Sequence, residues 1–599
     1  MKLKNIFLSI FLVFSFNISA LDINISEGET YFSVTNKTLS EFSFINSVSD
    51  VTTMIVKTEE GEFVKLIVPA YNSDSKNGEA ELPVLQKLIR VPFGSEIAVK
   101  IINLEEKTIN LSDYGFSIPV FPNQPSISKS ATDIPFYFNE EYYNLDKFTG
   151  NNIVETELLG KMRGQQLARL SVSPFSYNPT KNELKVVTKV EVKIIFKNID
   201  VNADNANRIK YYSPEFESLF KTCINNTPIT GKDVITTYPV KYVIISDPQF
   251  QAALQPLVDW KTKKGFMVLE GYTNDPLVGN TTASIHAYLQ NMYDNATVID
   301  PAPTYLLIVG DNAEVPSFNT GQHVSDMYYC EFDGNGDFYP EMYYGRLSAT
   351  SAAEVEIQVN KTLTHELYTF TDPSFLDEVV LVAGVDASFA PIHGNGQINY
   401  GTDNYFNVAH NLTIHNYLYG SGSPITSDMP AASAAIIADV SAGVGFANYT
   451  AHCGSSGWSD PSFENSDVNG LQNNDRFGFM IGNCCQSNKF DDNVCFGEKI
   501  LRSNNKGAVG YIGGSNNTYW DEDFWWAVGS TSNVTANPTY AGTDLGVYDC
   551  LMHENGESQA DWFYTAGQMI HSGNLAVTQA GGSEQYYWEI YHLMGDPSL

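Results

Sequence analysis

Residues 240–247, VKYVIISD, and residues 304–311, TYLLIVGD, are short apolar segments with the helix-like stretch FQAALQPLVDWKTKKG at 250–265 between them. Short apolar runs bounded by turn formers are typical of buried strands. Four more segments of this kind follow: EVVLVAGVD (378–386), GVGFANYTAH (443–452), RFGFMIGNC (476–484) and GAVGYIGGS (507–515). Strands that alternate with helices predict an α/β fold, a mostly parallel sheet flanked by helices.

Four chemically capable side chains follow the predicted strands. They are Asp311, Asp386, His452 and Cys485. Because ligands bind at the carboxyl ends of the strands in such sheets, we expect these side chains to line one crevice.

The region before residue 199 has a different pattern. Segments such as KLIVPAY (65–71) and ELKVVTKVEVKIIFKN (183–198) alternate apolar and polar residues and are rich in Val and Ile. This pattern predicts an all-β domain over residues 21–198. Residues 199–237 are polar with little periodicity, and they predict a linker that proteases can reach.

The length of 599 residues is more than one hydrophobic core usually organises, so several domains are expected. We expect the α/β region, 238–599, to divide into a first subdomain at about 238–375 and a second at about 376–599. Lys221 and Lys232 in the linker are predicted processing points if cleavage occurs after basic residues.

Residues 1–20 predict a secretory signal peptide, because Lys2 and Lys4 precede an apolar run and small residues close the segment. The apolar run is shorter than the ~20 residues that a membrane-spanning helix needs. No later stretch is long and apolar enough either. We therefore expect a protein that is secreted or at the cell surface and has no membrane span.

The chain carries 35 basic and 69 acidic residues, a formal net charge of −34. A field of this sign repels phosphate backbones, so nucleic acid is excluded as a partner.

The seven cysteines are an odd number, so at least one thiol is unpaired. An unpaired thiol in an oxidising compartment is more often catalytic than accidental. A disulfide between the adjacent Cys484 and Cys485 would be strained, which predicts a free thiol in this pair. A zinc site with His452 and Cys453 is disfavoured, because adjacent residues of an extended chain point in opposite directions.

His452 and Cys485 have the chemistry of a nucleophilic dyad. An imidazole beside a thiol raises the thiolate fraction, and the thiolate attacks a carbonyl carbon. Backbone N–H groups in the turns after His452 and at Cys485 can stabilise the oxyanion. From the residues alone, core packing remains an alternative for both side chains.

Several longer motifs carry a family resemblance. They are ANYTAHCGSSGW (447–458), CQSNKF (485–490), HLMGDPSL (592–599), GDFYPEMYYGRLS (336–348), LPVLQKLIRVPFG (82–94) and MRGQQLARLSVSPFSYNP (162–179). Together they resemble the gingipain-type cysteine peptidases, the last two their propeptide. In that family the nucleophile lies five residues before a phenylalanine, and Phe490 therefore selects Cys485.

The resemblance implies a caspase-like catalytic domain, with Cys485 as nucleophile, His452 as base and Asp386 orienting the imidazole. It also implies backbone oxyanion donors at Cys453 and Cys485. Cys453 replaces the glycine that usually follows the histidine, and Ala451 replaces the glycine before it. A strand-end cap or a calcium ligand is the alternative role for Asp386.

The resemblance further suggests a substrate pocket. Its predicted residues are Trp520 as an aromatic wall, Asn399, Trp458, and Asp521 with Glu522 and Asp523 supplying nearby negative charge. The segment DEDFWW also fits the first turn of a helix with core aromatics, so that alternative stays open.

The loop FDGNGDFYPE at 332–341 offers Asp333, Asn335, Asp337 and Glu341 as oxygen ligands. The family's structural calcium favours a metal site here, and an ordinary acidic turn is the alternative. No cofactor is expected for catalysis.

These features predict a secreted zymogen that hydrolyses peptide bonds through a thioester. Its expected partners are protein or peptide substrates, and its own propeptide as an intramolecular inhibitor. A catalytically inactive surface or adhesion protein that keeps the fold is the alternative.

Overall fold

The computed structural model describes residues 21–225, 240–334, 336–491, 493–552 and 562–599. The predicted signal peptide, Lys232 and Asn335 lie outside these ranges.

The N-terminal region is built almost entirely of strands, as predicted. The strands are β1 (Leu21–Asn24), β2 (Tyr31–Lys37), β3 (Glu41–Ser47), β4 (Asp50–Thr58), β5 (Gly61–Ile67), β6 (Asn72–Ser73), β7 (Pro83–Val91), β8 (Glu96–Asn110), β9 (Val154–Met162), β10 (Gln165–Val172), β11 (Phe175–Asn178) and β12 (Glu183–Lys197). The short helix α1 spans Glu140–Tyr143. In β12, buried and partly exposed residues alternate over most of its length because one face covers the apolar core.

Two helices lie in the segment that the sequence predicted as an irregular linker, α2 (Val201–Lys210) and α3 (Pro214–Phe220). The Asp200 carboxylate caps α2 by accepting hydrogen bonds from the backbone N–H groups of Asn202 and Ala203, both at 3.0 Å. Each helix is too short to show clear periodicity, so its capping residue was the available signal. Residues 226–239 lie outside the described ranges.

The C-terminal region alternates strands and helices. Its strands are β13 (Lys241–Ser246), β14 (Met267–Tyr272), β15 (Pro303–Val309), β16 (Phe318–Asn319), β17 (Val324–Ser325), β18 (Tyr343–Leu347), β19 (Glu378–Ala383), β20 (Thr413–Tyr417), β21 (Phe446–Thr450), β22 (Cys453–Gly454), β23 (Gly457–Ser459), β24 (Ser462–Glu464), β25 (Gly478–Asn483), β26 (Ala508–Gly514) and β27 (Tyr591–Met594). Its helices are α4 (Gln251–Lys264), α5 (Thr282–Asp294), α6 (Ala352–Glu366), α7 (Asn395–Asn404), α8 (Pro424–Ser427), α9 (Met429–Ala442), α10 (Asn465–Val468), α11 (Phe496–Arg502), α12 (Trp520–Val528), α13 (Val547–Met552), α14 (Ala566–Ala580) and α15 (Glu584–Ile590).

One ten-stranded sheet organises this region, in the order β14-β13-β15-β18-β27-β26-β25-β21-β19-β20. Neighbouring strands are parallel except for β26 and β27, which are antiparallel. Central strands such as β15 are buried throughout, because helices cover both faces of a parallel sheet. The predicted α/β fold class is confirmed.

Strand β27 joins the two halves of the sheet, since it pairs with β18 on one side and β26 on the other. Just after β27, the buried Asp596 forms an ion pair of 2.6 Å with Lys261 on α4 and accepts a hydrogen bond of 2.8 Å from the Tyr242 hydroxyl. Burial alone would raise the pKa of Asp596, but the Lys261 charge outweighs it and lowers that pKa. Lys261 also pairs with Glu366 at 2.7 Å.

Within the described ranges, no helix is both long and apolar enough to cross a membrane.

Replacing Lys261 with methionine should strongly destabilise the chain, because two carboxylates would lose their buried cation. We expect a loss of about 3–5 kcal/mol, the usual cost of breaking a buried pair from one side. Lys264→Met is the matched control: its ammonium also pairs with Glu366, at 2.9 Å, but is partly exposed. The control should cost less than ~1 kcal/mol. Equal shifts of the two thermal midpoints would contradict this account.

Candidate active site

Three adjacent parallel strands bring the predicted catalytic residues to one edge of the sheet. Thr450, the last residue of β21, lies opposite Ala383 of β19 and Asn483 of β25. Asp386, His452 and Cys485 follow these strand ends by two or three residues. The crevice therefore forms at the carboxyl edge of the sheet.

The imidazole of His452 is oriented by Asp386, whose Oδ2 lies 2.9 Å from Nε2. The other oxygen, Oδ1, accepts hydrogen bonds from the backbone N–H groups of Ser388 and Phe389, both at 2.8 Å. Burial raises the pKa of Asp386, but the hydrogen bonds from His452, Phe389 and Ser388 outweigh it and hold the pKa below its usual value. A charged Asp386 favours the tautomer with its proton on Nε2, which leaves Nδ1 free to accept a proton.

Cys485 is a buried free thiol. The backbone N–H of Thr518 donates to its Sγ atom at 3.4 Å. Burial raises the pKa of Cys485 more than the Thr518 contact and the charge of Lys129 lower it. The thiol therefore rests neutral in this state and needs a base to become a nucleophile.

The neighbouring Cys484 is bonded to Cys453 in a disulfide with a Cα–Cα distance of 5.3 Å. Cys485 is thus the free thiol of the adjacent pair. This bridge was not predicted from the sequence, although both residues lie just beyond neighbouring strand ends. Cys453 is not among the residues with positive φ, so a side chain is accommodated where the family usually has glycine.

A buried lysine from the N-terminal region fills a pocket beside these residues. The Nζ atom of Lys129 lies 2.7 Å from Oδ2 of Asp523, 3.1 Å from Oγ1 of Thr450 and 2.7 Å from the carbonyl oxygen of Asn483. It also lies 4.6 Å from the centroid of the Trp520 ring. Thr450 and Asn483 accept hydrogen bonds from the ammonium group, and Asp523 supplies the opposite charge.

Asp523 is held in place from behind. Its Oδ1 accepts hydrogen bonds from the hydroxyls of Tyr587, at 3.0 Å, and Tyr591, at 2.5 Å. Its other oxygen faces the pocket, where a buried carboxylate requires a cation.

Comparison with known families covers both regions. The sequence profile of peptidase family C25 matches residues 235–599, and that of the C25 propeptide matches residues 35–211. The chain belongs to peptidase family C25. The predicted gingipain-type family is thereby confirmed.

Alignments with relatives from Porphyromonas gingivalis cover most of this chain. Lys-gingipain W83 is 35% identical over 591 residues, which cover 96% of this chain and 33% of the relative. Gingipain R2 is 23% identical over 544 residues, which cover 88% of this chain and 67% of the relative. This chain thus spans about a third of the length of Lys-gingipain.

A solved structure described as "Structure of Protease" has 37% sequence identity and a TM-score of 0.55. The match covers 61% of this chain and 78% of that chain.

The predicted pocket residues of this C25 chain lie in different places. Trp520 forms a wall: its ring contacts His452, at 5.7 Å between centroids, and stacks on Phe389 at 5.1 Å. Asp521 instead pairs with His393 at 2.9 Å. The helix-start alternative for this segment also holds, because Asp521, Glu522 and Asp523 form the first turn of α12.

The other two predicted pocket residues make structural contacts. Trp458 is fully buried, stacks on Tyr449 and donates a hydrogen bond of 3.3 Å to the Tyr511 hydroxyl. The Asn399 side chain donates to the carbonyl of Ala536 at 2.7 Å. Neither contact joins the Lys129 pocket.

Two pocket residues, Thr450 and Asn483, were missed from the sequence although both end the strands that precede the dyad. Their strand-end positions were the signal that could have found them. Asp311, also at a strand end, forms an ion pair of 2.9 Å with Arg502.

The predicted calcium loop carries the buried Glu341 and the partly exposed Asp333 and Asp337. Asp333 pairs with Lys161 of the N-terminal region at 2.6 Å, and Asp337 accepts a hydrogen bond of 2.7 Å from the Lys161 backbone N–H. Glu341 is buried, and its Oε1 has no hydrogen-bond partner. Burial and the nearby Asp333 and Asp337 raise its pKa well above the usual value. Among the described residues, no three acidic, histidine or cysteine side chains are arranged around a common metal position.

Proposed function

We propose that this chain is the latent precursor of a secreted cysteine endopeptidase that cleaves after lysine. The observation that carries the proposal is the position of the Lys129 ammonium, bound by Asp523, Thr450 and Asn483 beside the His452–Cys485 pair. The name of the relative Lys-gingipain agrees with this specificity.

The pocket favours lysine over arginine for a geometric reason. Three separate acceptors surround one nitrogen, which suits a compact ammonium. A guanidinium is planar, and its donors are spread over three nitrogens, so it would leave some of these acceptors unmatched.

The proposed reaction assigns proton transfer to His452 and nucleophilic attack to Cys485. Nδ1 of His452 takes the proton from Cys485, and the thiolate attacks the carbonyl carbon of the scissile bond. The imidazolium then protonates the departing amine as the C–N bond breaks, which leaves a thioester. A water molecule, deprotonated by His452, attacks the thioester and releases the acid and the thiol. We assign the oxyanion contacts to the backbone N–H groups of Cys453 and Cys485.

The segment around Lys129 binds in the manner of a substrate. The Lys129 backbone N–H donates to the Thr518 carbonyl at 2.8 Å, and the Trp520 N–H donates to the Ile127 carbonyl at 3.0 Å. This antiparallel pairing positions three consecutive residues along the pocket.

The chain turns away directly after Lys129, because the Ala131 N–H donates to the Ser128 carbonyl at 2.9 Å in a tight turn. An extended substrate would continue past the nucleophile. The turn explains how Lys129 can occupy the pocket without being cleaved, and we assign the N-terminal region the role of an intramolecular inhibitor.

Maturation requires cleavage between the two regions. Lys221 precedes residues 226–239, and Lys232 lies within them, so an enzyme specific for lysine can process its own precursor there. The free thiol of Cys485 and the binding of His452 to Asp386 favour a peptidase over an inactive adhesion protein.

Replacing Lys129 with alanine should relieve latency, because the pocket loses the residue that fills it. We expect at least a tenfold faster labelling of Cys485 in the full chain by a lysyl chloromethyl ketone. Lys57→Ala, a change at a partly exposed lysine that pairs within the N-terminal region, is the control and should label like the unmodified chain. Slow labelling of both variants would show that Lys129 is not the block.

Replacing Asp523 with asparagine in the Lys129→Ala chain should lower kcat/KM for lysyl peptides about a hundredfold or more, because a buried charge partner is lost. Asp521→Asn is the matched control, because Asp521 lies two residues earlier in the first turn of α12 and pairs with His393 instead. Peptides with the neutral norleucine in place of lysine should be much less affected. Equal losses in the two variants would rule out Asp523 as the specificity residue.

We also propose that the loop at 332–341 binds Ca²⁺ once Lys161 no longer neutralises it. The buried, unpartnered Oε1 of Glu341 supports this, since calcium prefers such oxygen ligands. Asp333, Asp337 and Glu341 would hold the ion.

Millimolar Ca²⁺ should raise the thermal midpoint of a Lys161→Ala full chain by a few degrees, because a ligand that binds only the folded state stabilises it. The Lys161→Ala/Glu341→Gln chain, measured in the same way, should not respond. An unresponsive Lys161→Ala chain would mean that the loop is an ordinary acidic turn.

A further inference from the structure

The loops that carry the base and the nucleophile are each fastened to a different neighbour. On the histidine side, His452 binds Asp386 after β19, and the Val385 N–H donates to the Asp460 carbonyl at 2.7 Å. The His452 carbonyl accepts a hydrogen bond of 3.0 Å from the Ser459 N–H of its own hairpin. These contacts hold the histidine loop to the β19 side.

The nucleophile loop is held from the opposite side. The Gln486 N–H donates to the Asn516 carbonyl at 3.0 Å, and the Asn488 N–H donates to the Gly514 carbonyl at 3.0 Å. The Thr518 N–H approaches Cys485 Sγ. All three partners belong to β26 or to the segment after it.

Besides the pairing of β21 with β25, two contacts among the described residues join these loops next to His452 and Cys485 in the latent chain. One is Lys129, which binds Thr450 on the histidine side and Asn483 on the nucleophile side. This link is lost when the N-terminal region leaves. The other is the disulfide between Cys453, directly after the base, and Cys484, directly before the nucleophile.

We infer that the Cys453–Cys484 disulfide is a positioning element that keeps His452 and Cys485 in register for proton transfer after the propeptide departs. The inference rests on the proposed peptidase function. Misplacing reacting groups by about 1 Å can cost a hundredfold in rate, so a covalent link at this place bears on the chemical step rather than on substrate binding.

Two adjacent cysteines would then need opposite oxidation states for activity. Cys485 must be a reduced thiol, whereas Cys484 must stay in its disulfide with Cys453. A small dithiol such as dithiothreitol reduces the bridge by donating two electrons and two protons, becoming a cyclic disulfide as Cys453 and Cys484 become thiols. Cys485 is unchanged by this reaction. At low reductant concentration, peptidase activity should rise as any oxidised Cys485 is reduced to the thiol. At higher concentration, activity should fall because the Cys453–Cys484 bridge opens.

The test uses the full chain with Lys129→Ala, with and without Cys453→Ala/Cys484→Ala. Removing the bridge should lower kcat for a lysyl peptide about tenfold to a hundredfold and change KM less than about twofold. Cys223→Ala, which removes a buried thiol of the segment between the two regions, is the matched control and should keep kcat.

A dithiothreitol titration provides a second measurement if the double variant does not fold. In the bridged chain, peptide mapping should show Cys453 and Cys484 becoming free at the concentration where kcat falls. Unchanged kcat with the bridge mapped as reduced would overturn the inference.

Alkylation of Cys485 by iodoacetamide separates this inference from the peptidase proposal. Opening the bridge should shift the pH profile of alkylation, because the imidazole no longer lies in register with the thiol. A chain that hydrolyses no lysyl peptide but shows this shift would refute the peptidase proposal and retain the positioning role. An unshifted profile would overturn the positioning role.

Discussion

The ion pair between Lys129 and Asp523 connects the two regions of this chain at the edge of the sheet where the predicted catalytic residues lie. Both side chains are almost completely buried, at 0% and 1% exposure, so each charge depends on the other. Under the proposed function, this carboxylate would select a basic residue in a substrate. In the latent chain it already pairs with Lys129 of the propeptide. Specificity and latency would then depend on the same contact.

Other ion pairs also join the N-terminal region to the catalytic region. Lys87 pairs with Asp544, Arg169 with Glu584 and Lys161 with Asp333, each joining a cation of the N-terminal region to a carboxylate of the catalytic region. The chain has an excess of 34 negative charges, so these cations offset local repulsion. The negative net charge, from which we expect no nucleic-acid partner, also agrees with the proposed preference for a cationic substrate residue.

The sequence predicted the fold class because buried parallel strands and amphipathic strands leave clear patterns, as in β15 and β12. Cys485 could be distinguished from Cys484 through the family resemblance, in which Phe490 marks the position of the nucleophile. The acidic residue of the pocket was harder to predict from the sequence. Asp521, Glu522 and Asp523 are consecutive, and only the turn of α12 decides that Asp523 faces Lys129. Lys129 itself lies far away in sequence, in a segment without periodicity. The disulfide could not be derived either, because seven cysteines allow many pairings.

Strand β27 has a consequence for the assembly of the sheet. It lies between β18 and β26, yet it comes from residues 591–594, after every other strand of the sheet. During synthesis, the two halves of the sheet therefore each present an unpaired edge until this strand emerges. Unpaired edges of apolar strands can pair with strands of other chains. The incomplete sheet is therefore prone to aggregation until β27 is inserted.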